Sequence, residues 1–152
     1  MKQTLFTSVL LSLVLAFNAT AADKSKLQVS NAWIRATPPN ATVAGGFLTI
    51  ENTGAEDRLL SATSSATKSV EIHEMSMQGD VMQMRQLTDG LIIPTNKNIT
   101  LKPGGIHLMF IAPKHVFSEG QKISATLVFA KAGKQKVEFT VLKSAPAISN
   151  LK

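Results

Sequence analysis

The 152-residue chain contains no cysteine and no tyrosine, and it has a single tryptophan. Without thiols it forms no disulfide framework, thiol–disulfide redox pair, iron–sulfur cluster, thiolate zinc site or blue-copper centre with a cysteine ligand. Long apolar runs are equally scarce. The longest, Leu10 to Phe17, is broken by Ser12 and is too short to span a bilayer comfortably. With 44% hydrophobic and 17% charged residues, the composition is that of a globular chain and excludes disordered and fibrous classes.

That apolar run belongs to a segment, Met1 to Ala22, that reads as a secretory signal. Lys2 supplies the positive start, Leu10 to Phe17 the apolar centre, and Ala19-Thr20-Ala21 the small-x-small cleavage pattern, with cleavage expected near Ala21/Ala22. Its removal leaves 15 Lys and Arg against 10 Asp and Glu, a formal charge of +5, and five methionines. The product is expected to be exported and not an integral membrane protein. Its lysines are dispersed without interleaved aromatics, so they read as a solvated surface, and nucleic acid is not an expected partner.

Residues 23–142 are expected to form one domain, followed by a flexible tail over 143–152 rich in Ser, Pro, Ala and Asn. No persuasive helical period occurs in this stretch. Short alternating or β-branched segments recur instead between turn signals, and they predict nine strands: Leu27–Ile34, Gly46–Glu51, Arg58–Thr63, Ser69–Met75, Val81–Gln86, Asn98–Leu101, Ile106–Ile111, Lys122–Phe129 and Lys136–Val141. The fold class is therefore all-β, an antiparallel sandwich or barrel.

The remaining chemistry is concentrated. Met75, Met77, Met82 and Met84 lie within ten residues, His73 stands two positions before Met75, and His107 stands two before Met109. Residues i and i+2 of a strand share a face, so His73 with Met75, Met82 with Met84, and His107 with Met109 form three same-face pairs. Met75 to Met84 also folds back on itself. A two-residue turn at Gln78-Gly79 sets His73 opposite Met84 and Met75 opposite Met82. A turn at Gly79-Asp80 sets Met75 opposite Met84 and Met77 opposite Met82. A three-residue loop centred on Gly79 sets Arg85 opposite His73 and turns Met84 away, so the hairpin register tests the whole reading.

Thioether sulfur is soft and neutral, and imidazole is borderline. Together they suit Cu(I) and suit magnesium, calcium or zinc poorly. Thioethers also persist where paired thiols would oxidise. The competing reading, methionine as core filler, is the default for Met75, Met77 and Met82 taken singly. His115 reads as an ordinary loop histidine and Trp33 as a core or inter-sheet anchor; Glu71 shares the His73 face, with a solvated carboxylate as the default reading and an acceptor that orients the imidazole as the alternative. Gly104 and Gly105 read as the turn that aims His107.

The segment His73 to Met84, followed by Pro103-Gly104-Gly105-Ile106-His107-Leu108-Met109, resembles the PCuAC family of periplasmic copper chaperones. That family's signature is a histidine, a methionine eleven positions on, and a later His-x-Met. Ala32-Trp33-Ile34-Arg35-Ala36-Thr37-Pro38-Pro39 and the closing strands fit the same pattern. The interval from Met84 to His107 is one residue longer than is usual there, and an insertion around Ile93 to Lys97 accounts for it. The resemblance implies a cupredoxin-like fold and one Cu(I) ion held by His73, Met84, His107 and Met109. It also implies a periplasmic chaperone that delivers copper to the CuA centre of a cytochrome oxidase subunit, alongside a Sco-type protein, and the chain is expected to work as a monomer.

The chain is not expected to be an enzyme, because it has no thiol and no Ser, His and acidic arrangement at a recognisable elbow. The alternatives are a periplasmic copper storage or resistance protein without a dedicated acceptor, and a structural β-sandwich binding module.

Overall fold

The computed structural model describes residues 25–146. The expected signal and the end of the tail lie outside them. Ten strands account for most of the described chain: β1 (Leu27–Arg35), β2 (Val43–Asn52), β3 (Asp57–Thr63), β4 (Thr67–Gln78), β5 (Val81–Gln86), β6 (Leu91–Ile93), β7 (Asn98–Leu101), β8 (Ile106–Pro113), β9 (Lys122–Phe129) and β10 (Gly133–Leu142). Nine coincide with the expected segments. The tenth, β6, has only three residues between Gly90 and Pro94, too few to carry a period.

The strands pair in the order β4-β8-β2-β1-β10-β9-β3, and β3 returns to β4 through Ala62 opposite Val70, which closes a seven-stranded barrel. Outside that ring β5 extends β4, β6 extends β3, and β7 pairs with β2. The pairing is antiparallel except where β1 lies parallel to β10. A parallel pair needs distant strands, and here it joins the first strand to the last, which local patterning does not signal.

Alternation along each strand sends one set of side chains inward. Ile34, Leu48, Ile50, Leu59, Leu108, Phe110, Leu127, Phe139 and Val141 are fully buried in a continuous apolar interior, with Phe117 reaching in from the loop after β8. Phe110 meets Phe139 edge-on at 5.6 Å and Phe117 at 6.4 Å.

Polar anchors hold the connections. Asn52 is buried and donates to the carbonyls of Ala55, Ile93 and Pro94 while accepting from the Gly54 amide. It thereby ties the turn after β2 to β6. Asp57, also buried, accepts from the Ser25 hydroxyl and the backbone amides of Arg58, Lys131 and Ala132.

One irregularity shapes the site. Between Ser30 and Trp33 strand β1 carries a residue more than β2 opposite, and Asn31 takes a φ of 54° at that bulge. The bulge places Trp33 opposite Phe47 on the outer face, so Trp33 is buried there and is not an inter-sheet anchor.

Candidate metal centre

The inward residues of β4 and β8 are Val70, Ile72, Leu108 and Phe110, so the alternate positions form the outer face of the barrel. Register brings the chemistry together on that face. His73 of β4 stands directly opposite His107 of β8, and Glu71 opposite Met109. On the other side of β4, Met75 stands opposite Met84 and Met77 opposite Met82 of β5. The turn is the two-residue Gly79-Asp80 form, with Gly79 at a φ of 62°, a value glycine takes at no steric cost.

Of the four residues singled out from sequence, His73, His107 and Met109 occupy neighbouring positions on β4 and β8. Met84 lies on β5, diagonal to His73 and directly across from Met75. Diagonal cross-strand neighbours stand about 7–8 Å apart at Cα, within reach of long side chains such as methionine. Met75 follows His73 on the same face and is half-buried. Met77, Met82 and Met84 are 59%, 55% and 51% exposed, so of the three methionines read as core filler the reading is wrong for Met77 and Met82. His115 lies away from this face, exposed and edge-on to Phe117 at 5.5 Å.

The two imidazoles are held in defined tautomers. His107 is buried, and its Nδ1 stands 3.0 Å from the Gly105 carbonyl oxygen. A carbonyl only accepts, so Nδ1 carries the proton and Nε2 is the nitrogen with a free lone pair. The same carbonyl accepts the Met75 amide at 3.2 Å. Gly105 is placed for both by the turn Lys102-Pro103-Gly104-Gly105, in which Gly104 has a φ of 78° and the Gly105 amide bonds the Lys102 carbonyl. Proline second and glycine third is the type II pattern.

His73 is arranged in the opposite sense. Its Nε2 donates to the Glu71 carboxylate at 2.8 Å, so the solvated-carboxylate reading of Glu71 gives way to an orienting one. In the neutral imidazole Nδ1 is then the lone-pair nitrogen, and it is buried without a hydrogen-bond partner. An unsatisfied buried acceptor costs about 1–3 kcal/mol, and a metal ion is one partner that removes this cost. The imidazole centroids lie 5.8 Å apart.

The far side of the His pair is apolar. Phe47 lies 6.4 Å from the His107 ring and 4.5 Å from Trp33. Gly45, opposite Met109, makes room for it, since a Cβ there would stand 3.1 Å from the Phe47 ring. Nothing in the spacing of Phe47 marked it as a neighbour of His107, because that contact depends on the β2–β8 register. Among the described residues, no three His, Cys, Asp or Glu side chains converge as a metal site. A metal held on this face is therefore completed by thioethers, the donor set that favours a soft monovalent ion.

The closed barrel with its His and Met outer face is a cupredoxin-like fold of the PCuAC type. The structure is similar to the copper-bound PCuAC domain from PmoF2, with a TM-score of 0.64 and 26% identity over 82% of this chain and 99% of that one. It is likewise similar to the apo PCuAC domain from PmoF1, with a TM-score of 0.66 and 27% identity over 82% and 98%. Cu(I)-bound DR1885 from Deinococcus radiodurans shares the fold at a TM-score of 0.60 and 23% identity, over 83% of each chain.

By sequence, the chain belongs to the LpqE-like family, described as "Putative lipoprotein LpqE-like", whose pattern matches residues 27–141. A relative from Leifsonia xyli subsp. xyli, named "Putative lipoprotein Lxx21020", is 35% identical over 127 residues, covering 83% of this chain and 75% of its own.

Proposed function

We propose that this protein is an exported, non-enzymatic Cu(I) carrier that binds one ion on the outer face of β4 and β8. The observation that carries the reading is the paired imidazoles. Each donates from one ring nitrogen to an oxygen acceptor and keeps the other free of a hydrogen-bond partner, and thioethers flank the pair on the same face. His73 Nδ1 and His107 Nε2 are the nitrogen donors. Met109 and Met84 supply the sulfurs, and Met75 stands beside them.

All four ligands are neutral, so the loaded site keeps the single positive charge of the ion. Imidazoles and thioethers exchange one at a time, so release to an acceptor needs no redox step. Similarity to the copper-bound PCuAC domain supports the choice of ion. The family resemblance supports the periplasm as the compartment, a monomer as the working form, and the CuA centre of a cytochrome oxidase as the destination, with a Sco-type protein as co-worker.

The deciding experiment is competition with a Cu(I)-specific chelator under anaerobic, reducing conditions. The expected result is uptake of one tightly held equivalent that His107→Ala or His73→Ala abolishes. Uptake unchanged in both variants removes the site. The destination is tested separately in a deletion strain. Loss of oxidase activity at low copper supports delivery, whereas loss of copper tolerance alone supports storage or resistance.

A further inference from the structure

The β4–β5 hairpin carries more soft donors than one ion needs. Strand β8 begins at Ile106, and its last contact with β4 toward the turn is the bond from the Met75 amide to the Gly105 carbonyl. From Ser76 to Gln83 the chain is therefore a two-stranded ribbon projecting past the barrel wall. All six residues of β5 are exposed.

On one face of this ribbon the cross-strand pairs are Met75 with Met84 and Met77 with Met82. Directly opposed residues have Cβ atoms about 4.5–5.5 Å apart, so the two thioethers of a pair can close on a common ion. Packing does not account for the outer pair, since Met77 and Met82 are 59% and 55% exposed. Edge strands normally carry charge that discourages association; β5 has Arg85 on its other face, but this face presents apolar thioethers instead.

We propose that Met77 and Met82 form a second, weaker station for a soft monovalent cation, with a third thioether from the Met75–Met84 pair. The inference deepens the carrier reading by supplying a route to its site. Successive pairs lie two residues apart along the strand, about 6.6–6.8 Å. An ion received at the hairpin tip passes to the His73 and His107 donors by exchanging one sulfur at a time, and leaves by the reverse path. Without imidazole the outer station binds less tightly, which suits a point of entry and hand-off.

The test is a Cu(I) titration of the protein, labelled at its methionine methyls, under anaerobic reducing conditions. The first equivalent is expected to move the signals of the principal site, and a second, more weakly held, to move Met77 and Met82. The double variant M77L/M82L keeps two exposed apolar side chains of similar size and should fold normally. It should bind the first equivalent unchanged, lose the second, and surrender its ion to a chelator more slowly than the wild type. The inference is overturned if only one equivalent binds, if Met77 and Met82 stay unmoved, or if the double variant still takes two. H107A separates the two readings. Loss of the first equivalent with Met77 and Met82 still responding supports both, whereas a first equivalent that survives overturns the principal site alone.

Discussion

A side chain outside the proposed ligand set decides how one proposed ligand, His73, is presented. Glu71 holds Nε2 of His73 at 2.8 Å and leaves Nδ1 as the donor atom. Partners of this kind typically contribute 10–100-fold to metal affinity. Glu71→Ala is therefore expected to weaken Cu(I) binding by about 10–100-fold in chelator competition. Glu71→Gln, which keeps a carbonyl oxygen able to accept the same proton, should recover most of that loss. An equal loss in both variants would mean that the charge of Glu71 matters and its geometry does not. Unchanged affinity in Glu71→Ala would remove the orienting role altogether. Arg85 and Glu74, paired at 2.6 Å on the opposite face of the hairpin, serve as a control. As a surface pair they contribute at most about 1 kcal/mol, and neutralising them should leave copper uptake unaltered.

At the scale of the element, the Gly79-Asp80 turn sets which way Met82 and Met84 point. Inserting one glycine between Gly79 and Asp80 while the hairpin keeps a two-residue turn shifts the β4–β5 pairing by one residue, which sends every β5 side chain to the other face. The His73–His107 pair depends on the β4–β8 register, which does not run through this turn. The insertion should therefore abolish the response of Met82 to a second Cu(I) equivalent and weaken the first, while the imidazole signals still move. Methyl-to-methyl contacts between β4 and β5 would report the slipped register. Unchanged contacts would mean that the extra residue is absorbed in a longer loop and that the turn length does not set the register.

Much of this arrangement was legible in the sequence because it depends on a period of two. His-x-Met units and the alternation around them located β4, β5 and β8, and the three possible turns bounded the registers. What periodicity does not reach is anything settled by strands distant in sequence. The place of Phe47 beside His107, the outward turn of Trp33 at the Asn31 bulge, and the parallel joint of β1 with β10 all depend on such pairings. The orienting role of Glu71 is in between: its shared face with His73 follows from spacing, but the hydrogen bond appears only in three dimensions.

For the molecule as a whole, closure rests on a few polar ties as well as on the core. Asp57 joins the start of β3 to Ser25 ahead of β1 and to the β9–β10 turn through Lys131 and Ala132. Burial raises its pKa, yet the Ser25 hydroxyl and the amides of Arg58, Lys131 and Ala132 outweigh burial and hold the carboxyl below its ordinary value of 3.8. A carboxylate lowered by folding stabilises the native state fully above its unfolded pKa, and loses that contribution as pH falls through the folded one. Acidification below about pH 4 should therefore loosen the barrel at this corner.

In Asp57→Asn the side-chain NH2 that replaces Oδ2 cannot accept the Ala132 amide, so a partly buried donor is left unpaired. The cost is expected to be about 2–3 kcal/mol at neutral pH, read from urea unfolding. The gap between variant and wild type should then narrow as pH drops below the ordinary carboxylate range, because protonation removes the same charge from the wild type. Asp57 touches none of β4, β5 or β8, so Cu(I) stoichiometry at neutral pH should be unchanged in the folded variant. A gap that stays constant down to acid pH would show that the Asp57 charge contributes nothing to closure. A loss of copper binding would show that the barrel corner and the metal face are coupled, contrary to a rigid scaffold on which the site is carried by three strands alone.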